Sequence, residues 1–233
     1  MKMDQVDQNA KIKIFEKRDE WQQEATREIY EWILKYDSEV VLGLCGGSTP
    51  GPVYSQLAAS RGVNLAKLKT FLIDERCVPA DENTSNTKLV MHTLYEKADL
   101  LAKNNFCFPT YNQDLEKMRV VYESELEQIL SMGRPLGLVV GVGTDGHFAS
   151  IFPGWKEQKG IVWLTETTEF EVKERLTVSP FTLAKADKII VLIRGQEKQV
   201  LLDEITHGKK AAEEFPMKML LKHPDLTILF SRE

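Results

Sequence analysis

Asp145 and His147 stand two residues apart in the stretch GVGTDGHFASIFP at 141–153. An imidazole changes charge near neutral pH and can draw a proton from water, and a carboxylate beside it can fix its tautomer and stabilise the imidazolium. Such a pair could drive attack of water on a carbonyl. The same residues could also form an ordinary turn through Thr144, Asp145 and Gly146, with His147 a helix-start residue bonded to backbone. A second group is Gly46, Gly47, Ser48 and Thr49. The glycines let backbone approach a ligand with no Cβ in the way, and the hydroxyls can donate. Pro50 then suits the first turn of a helix whose free N–H groups and positive dipole end favour an anion. A plain strand-to-helix connection would read alike. The pattern is neither G-x-G-x-x-G nor G-x-x-x-x-G-K-[ST], which removes most support for dinucleotide or nucleoside-triphosphate binding. Asp74, Glu75 and Arg76 are three consecutive charges. A run of this kind is commonly just solvated, but Arg76 could clamp a phosphate or carboxylate, and Asp74 could take a sugar hydroxyl or hold a basic neighbour. Lys198 falls in the first turn of a predicted helix, where the dipole disfavours a cation unless an anion is bound nearby.

Each of these groups follows a predicted strand. Residues 138–142 are apolar without alternation, which predicts a strand covered on both faces and ending at Gly143. A strand over 39–45 precedes the Gly-Gly turn and another over 69–73 precedes the three charges, and in an open α/β sheet ligands bind beyond the carboxyl ends of strands. Further strands are predicted at 11–15, 106–109, 161–164, 175–178, 189–193 and 226–230. Helices are predicted at 19–36, 53–60, 114–132 and 196–205, with short ones after Ser179 and over 217–221. Trp21, Ala25, Ile29, Trp32, Ile33 and Tyr36 form a stripe at helical spacing, which is read as packing surface and not as a ligand box. Thr84 or Ser85 caps a helix carrying Leu89, Val90 and Leu94. Most of 97–113 shows no clear element. The alternation of strands and helices implies a mainly parallel sheet covered by helices.

The chain has 233 residues, is 42% hydrophobic and carries a net charge of −5 from 30 basic and 35 acidic residues. That size suits one α/β domain over 1–233, with no linker, repeat or low-complexity tract. The mild acidity argues against a nucleic-acid surface, so an anionic substrate needs a local cluster of cations. The 3 cysteines, Cys45, Cys77 and Cys107, lack metal-type spacing and suit free thiols in a reducing compartment. Neither a signal peptide nor an apolar run near the ~20 residues of a membrane span is visible, so a cytoplasmic protein is expected.

The segment at 141–153 is similar to the G-x-G-x-DGH-x-AS-[LI]-FP segment of 6-phosphogluconolactonases. GGSTP at 46–50, DERCVP at 74–79 followed by TSN at 84–86, RLT at 175–177 and GQEK at 195–198 stand in that family's order. The resemblance implies a three-layer α/β/α Rossmann-like fold shared with glucosamine-6-phosphate deaminases and ribose-5-phosphate isomerases (NagB/RpiA/CoA transferase-like). It implies hydrolysis of 6-phospho-D-glucono-1,5-lactone to 6-phospho-D-gluconate in the oxidative pentose phosphate pathway. A sugar-phosphate lactone would be the small-molecule partner, no metal or organic cofactor would be needed, and the assembly would be a monomer or homodimer. It also implies roles. His147 would be the base, with Asp145 or Asp74 supporting it. The 46–49 loop, Arg175 and Lys198 would hold the phosphate, Arg76 the lactone or phosphate, and Asn86 would face the ligand. Without the resemblance, Arg175 reads as an exposed strand residue. The nearest alternative is a glucosamine-6-phosphate deaminase or isomerase, whose pattern DGH-x-AFNEP places a glutamate before the proline where this chain has Phe152. A non-catalytic sugar-phosphate sensor would keep the phosphate ligands but could lose His147.

Overall fold

The apolar runs bounded by turn residues become strands. In a computed structural model, which describes residues 10–61, 64–98 and 105–233, they are β1 (Lys11–Phe15), β2 (Val40–Leu44), β3 (Leu68–Leu72), β4 (Asp74–Arg76), β5 (Phe106–Cys107), β6 (Leu136–Gly141), β7 (Val162–Glu166), β8 (Glu174–Val178), β9 (Lys188–Arg194) and β10 (Leu226–Ser231). Seven form one sheet in the order β1-β10-β9-β6-β2-β3-β5, every neighbouring pair parallel. Every residue of β2 and β10 is buried, as continuous Val, Leu and Ile runs require when both faces are covered. The mainly parallel α/β architecture expected from the sequence is the one observed.

The first helix, α1 (Arg18–Leu34), turns Trp21, Ala25, Ile29, Trp32 and Ile33 into the core, so the aromatic stripe is packing surface. The Trp21 indole donates to Leu229 O at 3.0 Å. Gly51–Ala58 forms α2, and Asn86–Val90 forms α3, whose cap is Ser85, accepting from Lys88 N–H at 3.2 Å. A π-helical turn, Met91–Tyr95, continues it. Next come α4 (Leu115–Leu130), α5 (Pro180–Leu183) and α6 (Gln199–His207). The short helix expected at 217–221 is instead a 3₁₀ turn, Pro216–Met219. Residues 99–104, within the stretch that gave no clear reading, lie outside the described residues. Cys45, Cys77 and Cys107 are free and buried.

Two features of this topology place the site. From β2 the chain continues through β3 towards β5 on one side, whereas β6, on the other side of β2, leads to β9, β10 and β1. The strand order therefore reverses between β2 and β6, which opens a crevice beyond their carboxyl ends. Over that crevice stands a second, antiparallel sheet in the order β4-β8-β7. The three charges at 74–76, expected as residues trailing a strand, are themselves a strand of this sheet. Their backbone groups pair with β8, Asp74 opposite Thr177 and Arg76 opposite Arg175.

Candidate active site

β6 ends at Gly141, and the chain beyond it folds back sharply. Gly146 N–H donates to Gly143 O at 3.0 Å and Gly143 N–H to His147 O at 2.9 Å. Gly146 holds φ +84°, and a Cβ there would come within 2.3 Å of the Phe215 ring, so backbone and space both require glycine. This turn aims Asp145 at His147. The carboxylate Oδ1 accepts from His147 N–H at 3.1 Å and lies 2.5 Å from the ring Nδ1. A proton on Nδ1 shared with the carboxylate leaves Nε2 with its lone pair, the form a general base needs. Burial opposes ionisation of Asp145, but the hydrogen bonds and charge of His147 outweigh it and hold the carboxyl below its usual pKa. The imidazole packs on two phenyl rings, Phe152 at 4.8 Å and Phe170 at 5.9 Å between centroids. Asp74, the other carboxylate considered as its partner, instead accepts from Ser150 Oγ at 2.8 Å and from Asn86 Nδ2 at 3.4 Å.

The loop after β2 faces this turn. Asn86, at the start of α3, donates from Nδ2 to Asp74 O at 2.8 Å and packs its Oδ1 against Gly46. A Cβ on residue 46 would land 1.7 Å from that oxygen, so the first glycine is needed for close approach. Lys198, which ends the 3₁₀ turn Gln196–Lys198 before α6 and not the first turn of a longer helix, donates from Nζ to Val142 O at 2.7 Å. Burial pushes its pKa down. Arg76 bonds Thr84 O. Arg175 is only 4% exposed, unlike the exposed strand residue its sequence context suggests without the resemblance. Its guanidinium lies over the Phe170 ring at 5.7 Å, and its buried Nη1 has no hydrogen-bond partner in the protein. Burial and the facing Arg76 both lower its pKa. Two arginines opposite each other, one with an orphaned donor, make a wall that favours a bound anion.

Gly46, Gly47, Ser48, Thr49, Asp74, Arg76, Asn86, His147 and Lys198 line one cleft of about 240 Å³. Asp145 stands behind His147, and Arg175 stands behind Phe170 without reaching the cleft surface. Two larger hollows, about 720 Å³ beside Pro135 and Leu136 and about 560 Å³ beside Phe106 and Phe108, lie elsewhere. Neither is lined by His147 or lies in the crevice beyond the carboxyl ends of β2 and β6, so the chemistry belongs to the smaller cleft. Among the described residues no three His, Cys, Asp or Glu side chains are grouped to hold a metal ion. Sequence reasoning missed Phe170, which lines the cleft from the loop between β7 and β8 while 45% exposed. An apolar ring amid TTEFEVK was the available signal. It also missed Ser150 as the partner of Asp74, and the buried Glu75, which the run of three charges disguised as solvated.

Residues 16–228 match the family described as glucosamine-6-phosphate isomerases/6-phosphogluconolactonase. A 6-phosphogluconolactonase of Xylella fastidiosa (strain Temecula1) is 30% identical over 219 residues, covering 88% of this chain and 89% of that protein. Among solved structures, the 6-phosphogluconolactonase of Thermotoga maritima superposes with a TM-score of 0.82 at 27% identity, over 96% of this chain and 100% of that one. A monomeric glucosamine-6-phosphate deaminase superposes with a TM-score of 0.84 at 25% identity, over 96% and 98%.

Proposed function

Because this chain belongs to the family of glucosamine-6-phosphate isomerases and 6-phosphogluconolactonases, we propose that it hydrolyses 6-phospho-D-glucono-1,5-lactone to 6-phospho-D-gluconate, the lactone-opening step of the oxidative pentose phosphate pathway. Both a lactonase and a deaminase stand among its structural neighbours, so membership alone does not choose between them. One observation does. The ring packed 4.8 Å from His147 is Phe152, at the position where the deaminase pattern carries a glutamate. A phenyl group cannot shuttle the second proton that ring opening and isomerisation of an amino sugar require, whereas lactone hydrolysis needs a single base.

In this reading the substrate phosphate is held by the 46–49 loop and Lys198, with the charge of Arg175 adding to the site from behind Phe170, and Arg76 meets the phosphate or the lactone. Remote binding of this kind places the carbonyl near the base. His147 Nε2 takes a proton from water as its oxygen bonds to C1. The carbonyl electrons move onto oxygen, and the resulting oxyanion is stabilised by the cationic wall. As the oxyanion collapses, the bond from C1 to the ring oxygen breaks and the imidazolium returns the proton to that oxygen. Asp145 keeps the imidazole in its Nδ1–H tautomer and stabilises the cation. Asp74, bonded to Ser150 and Asn86, takes a sugar hydroxyl or fixes the cleft wall. No covalent intermediate forms, because no G-x-S-x-G elbow is present and Cys45, the cysteine lining the cleft, has its thiol pushed up to about 12 by burial. The test generates the lactone in situ and follows acid release against the spontaneous rate. Release well above that rate is expected. Ammonia release from glucosamine-6-phosphate without lactone hydrolysis would replace this function with the deaminase one.

A further inference from the structure

Glu75 is 1% exposed, and nothing in the catalytic reading uses it. Side chains alternate along a strand, so Asp74 and Arg76 take one side of β4 and Glu75 the other. Its carboxylate meets the start of α3. Oε1 accepts from Arg76 N–H at 2.7 Å and Asn86 N–H at 2.8 Å. Oε2 accepts from Thr87 N–H at 2.7 Å, Thr87 Oγ1 at 2.7 Å and Ser85 Oγ at 3.1 Å. Three of the five partners are backbone N–H groups that can only donate, and the two hydroxyls can donate as well, so both carboxylate oxygens serve as acceptors. Burial raises the pKa of Glu75, and the Asn86 and Thr87 donors oppose it. The anion also sits where the free N–H groups of a helix N-terminus favour negative charge.

The neighbours of these donors are the walls of the cleft. Arg76 carries the guanidinium opposite Arg175, and Asn86 reaches from the same helix start to Asp74 and to Gly46. We propose that Glu75 is a positioning residue for substrate binding, its carboxylate locking the start of α3 onto β4 so that Arg76, Asn86 and the 46–49 loop keep the spacing that receives a sugar phosphate. The inference rests on the phospholactone reading for its substrate and on the hydrogen bonds for its mechanism.

Two physical effects of removing the charge have opposite signs, which makes the proposal decidable. A buried negative charge close to an anion site disfavours the anion, so if Glu75 acted only through charge, Glu75→Gln would tighten binding. As a positioning group it does the reverse. A glutamine offers one acceptor oxygen and one donor group, so in either orientation its NH₂ faces backbone N–H, and the wall shifts. The expected result for Glu75→Gln is a KM for the phospholactone raised about tenfold or more, with the acid limb of the pH–rate profile unmoved because Asp145 and His147 are untouched. Affinity for inorganic phosphate, measured by calorimetry on the same protein, weakens in parallel. Thr87→Val, which removes one side-chain donor and keeps the charge, shifts both constants in the same direction by less, and it carries the test if the glutamine variant does not fold. A folded Glu75→Gln protein with unchanged or tighter phosphate binding overturns the proposal. If wild-type enzyme shows no lactone turnover, the functional reading fails, while phosphate calorimetry still decides the role of Glu75.

Discussion

Whether His147 is the base turns on one contact, the 2.5 Å approach of Asp145 Oδ1 to Nδ1, because it leaves Nε2 as the basic atom. His147→Ala is expected to lower turnover by about 10²–10⁴-fold, typical of a lost general base, while the circular dichroism spectrum stays native, since the ring sits at the cleft and not in the core. His147→Gln behaves alike, because an amide can hold water but cannot take its proton. In wild type the rate falls as acid protonates the imidazole, and that limb is absent in both variants. The check is a pH–rate series on all three proteins, corrected for spontaneous hydrolysis. Near-normal turnover in His147→Ala would sink the mechanism, and an unchanged acid limb in the variants would move the base to Asp74 or Asp145.

At the scale of elements, the cleft depends on how closely separate segments approach. Gly46 and Asn86 belong to the β2 loop and the start of α3, and a Cβ on residue 46 has no room beside Asn86 Oδ1. Gly46→Ala is therefore expected to raise KM about tenfold or more by displacing the loop or the amide, with little change in melting temperature because both groups are at the cleft. A raised KM accompanied by a clearly lowered melting temperature would mean that the contact is structural only. A different junction ties β1 to α1. Lys13 bonds Glu24 and Glu28, and Arg27 bonds Glu24 from the next turn. The Arg27 hydrogen bond, then that of Lys13, holds Glu24 at about 2, against 4.5 for the free group. A depressed carboxylate stabilises the fold fully above its unfolded pKa and loses that contribution as the pH falls towards the folded value. Here the window is from about 4.5 down to about 2. The pair lies at the surface, partly covered and open to solvent at one side, so Glu24→Gln should lower stability at neutral pH by about 1 kcal/mol. Denaturant melts at pH 7 and pH 3 test this, the difference between variant and wild type shrinking at the lower pH.

Across the whole molecule, antiparallel pairing of β4 with β8 sets Arg76 against Arg175 beside the crevice formed where the strand order reverses. This arrangement is costly without an anion and favourable with one. Arg175→Met removes a buried charge with an orphaned Nη1, so it should not lower the melting temperature in phosphate-free buffer. It should raise the KM for the phospholactone, because the anion site loses one of the two positive charges that face each other beside it. Millimolar phosphate should inhibit wild type competitively and stabilise it, by about 2.7 kcal/mol at a hundredfold excess over its dissociation constant. That stabilisation should be weaker in Arg175→Met. Equal protection of the two proteins in a thermal-shift titration would remove Arg175 from the anion site.

What the sequence determined by itself was local. Unbroken Val, Leu and Ile runs specify doubly covered strands, the spacing of Trp21, Ala25, Ile29 and Trp32 specifies the buried face of α1, and Ser85 and Ser179 cap helices through contacts within a few residues. The turn carrying Asp145 and His147 is legible for the same reason, since its hydrogen bonds close between residues 143 and 147. The anchoring residues Arg76, Asn86, Arg175 and Lys198 were named from charge and motif, but their mutual placement was not in any local pattern. The tertiary structure decided that the order of strands reverses between β2 and β6, that three charged residues form a strand with Glu75 buried, and that Asp74 turns to Ser150 while Asp145 takes the imidazole. Those outcomes depend on hydrogen bonds and burial between segments far apart in the chain. A run such as Asp-Glu-Arg reads as solvated until the partners that bury it are in place.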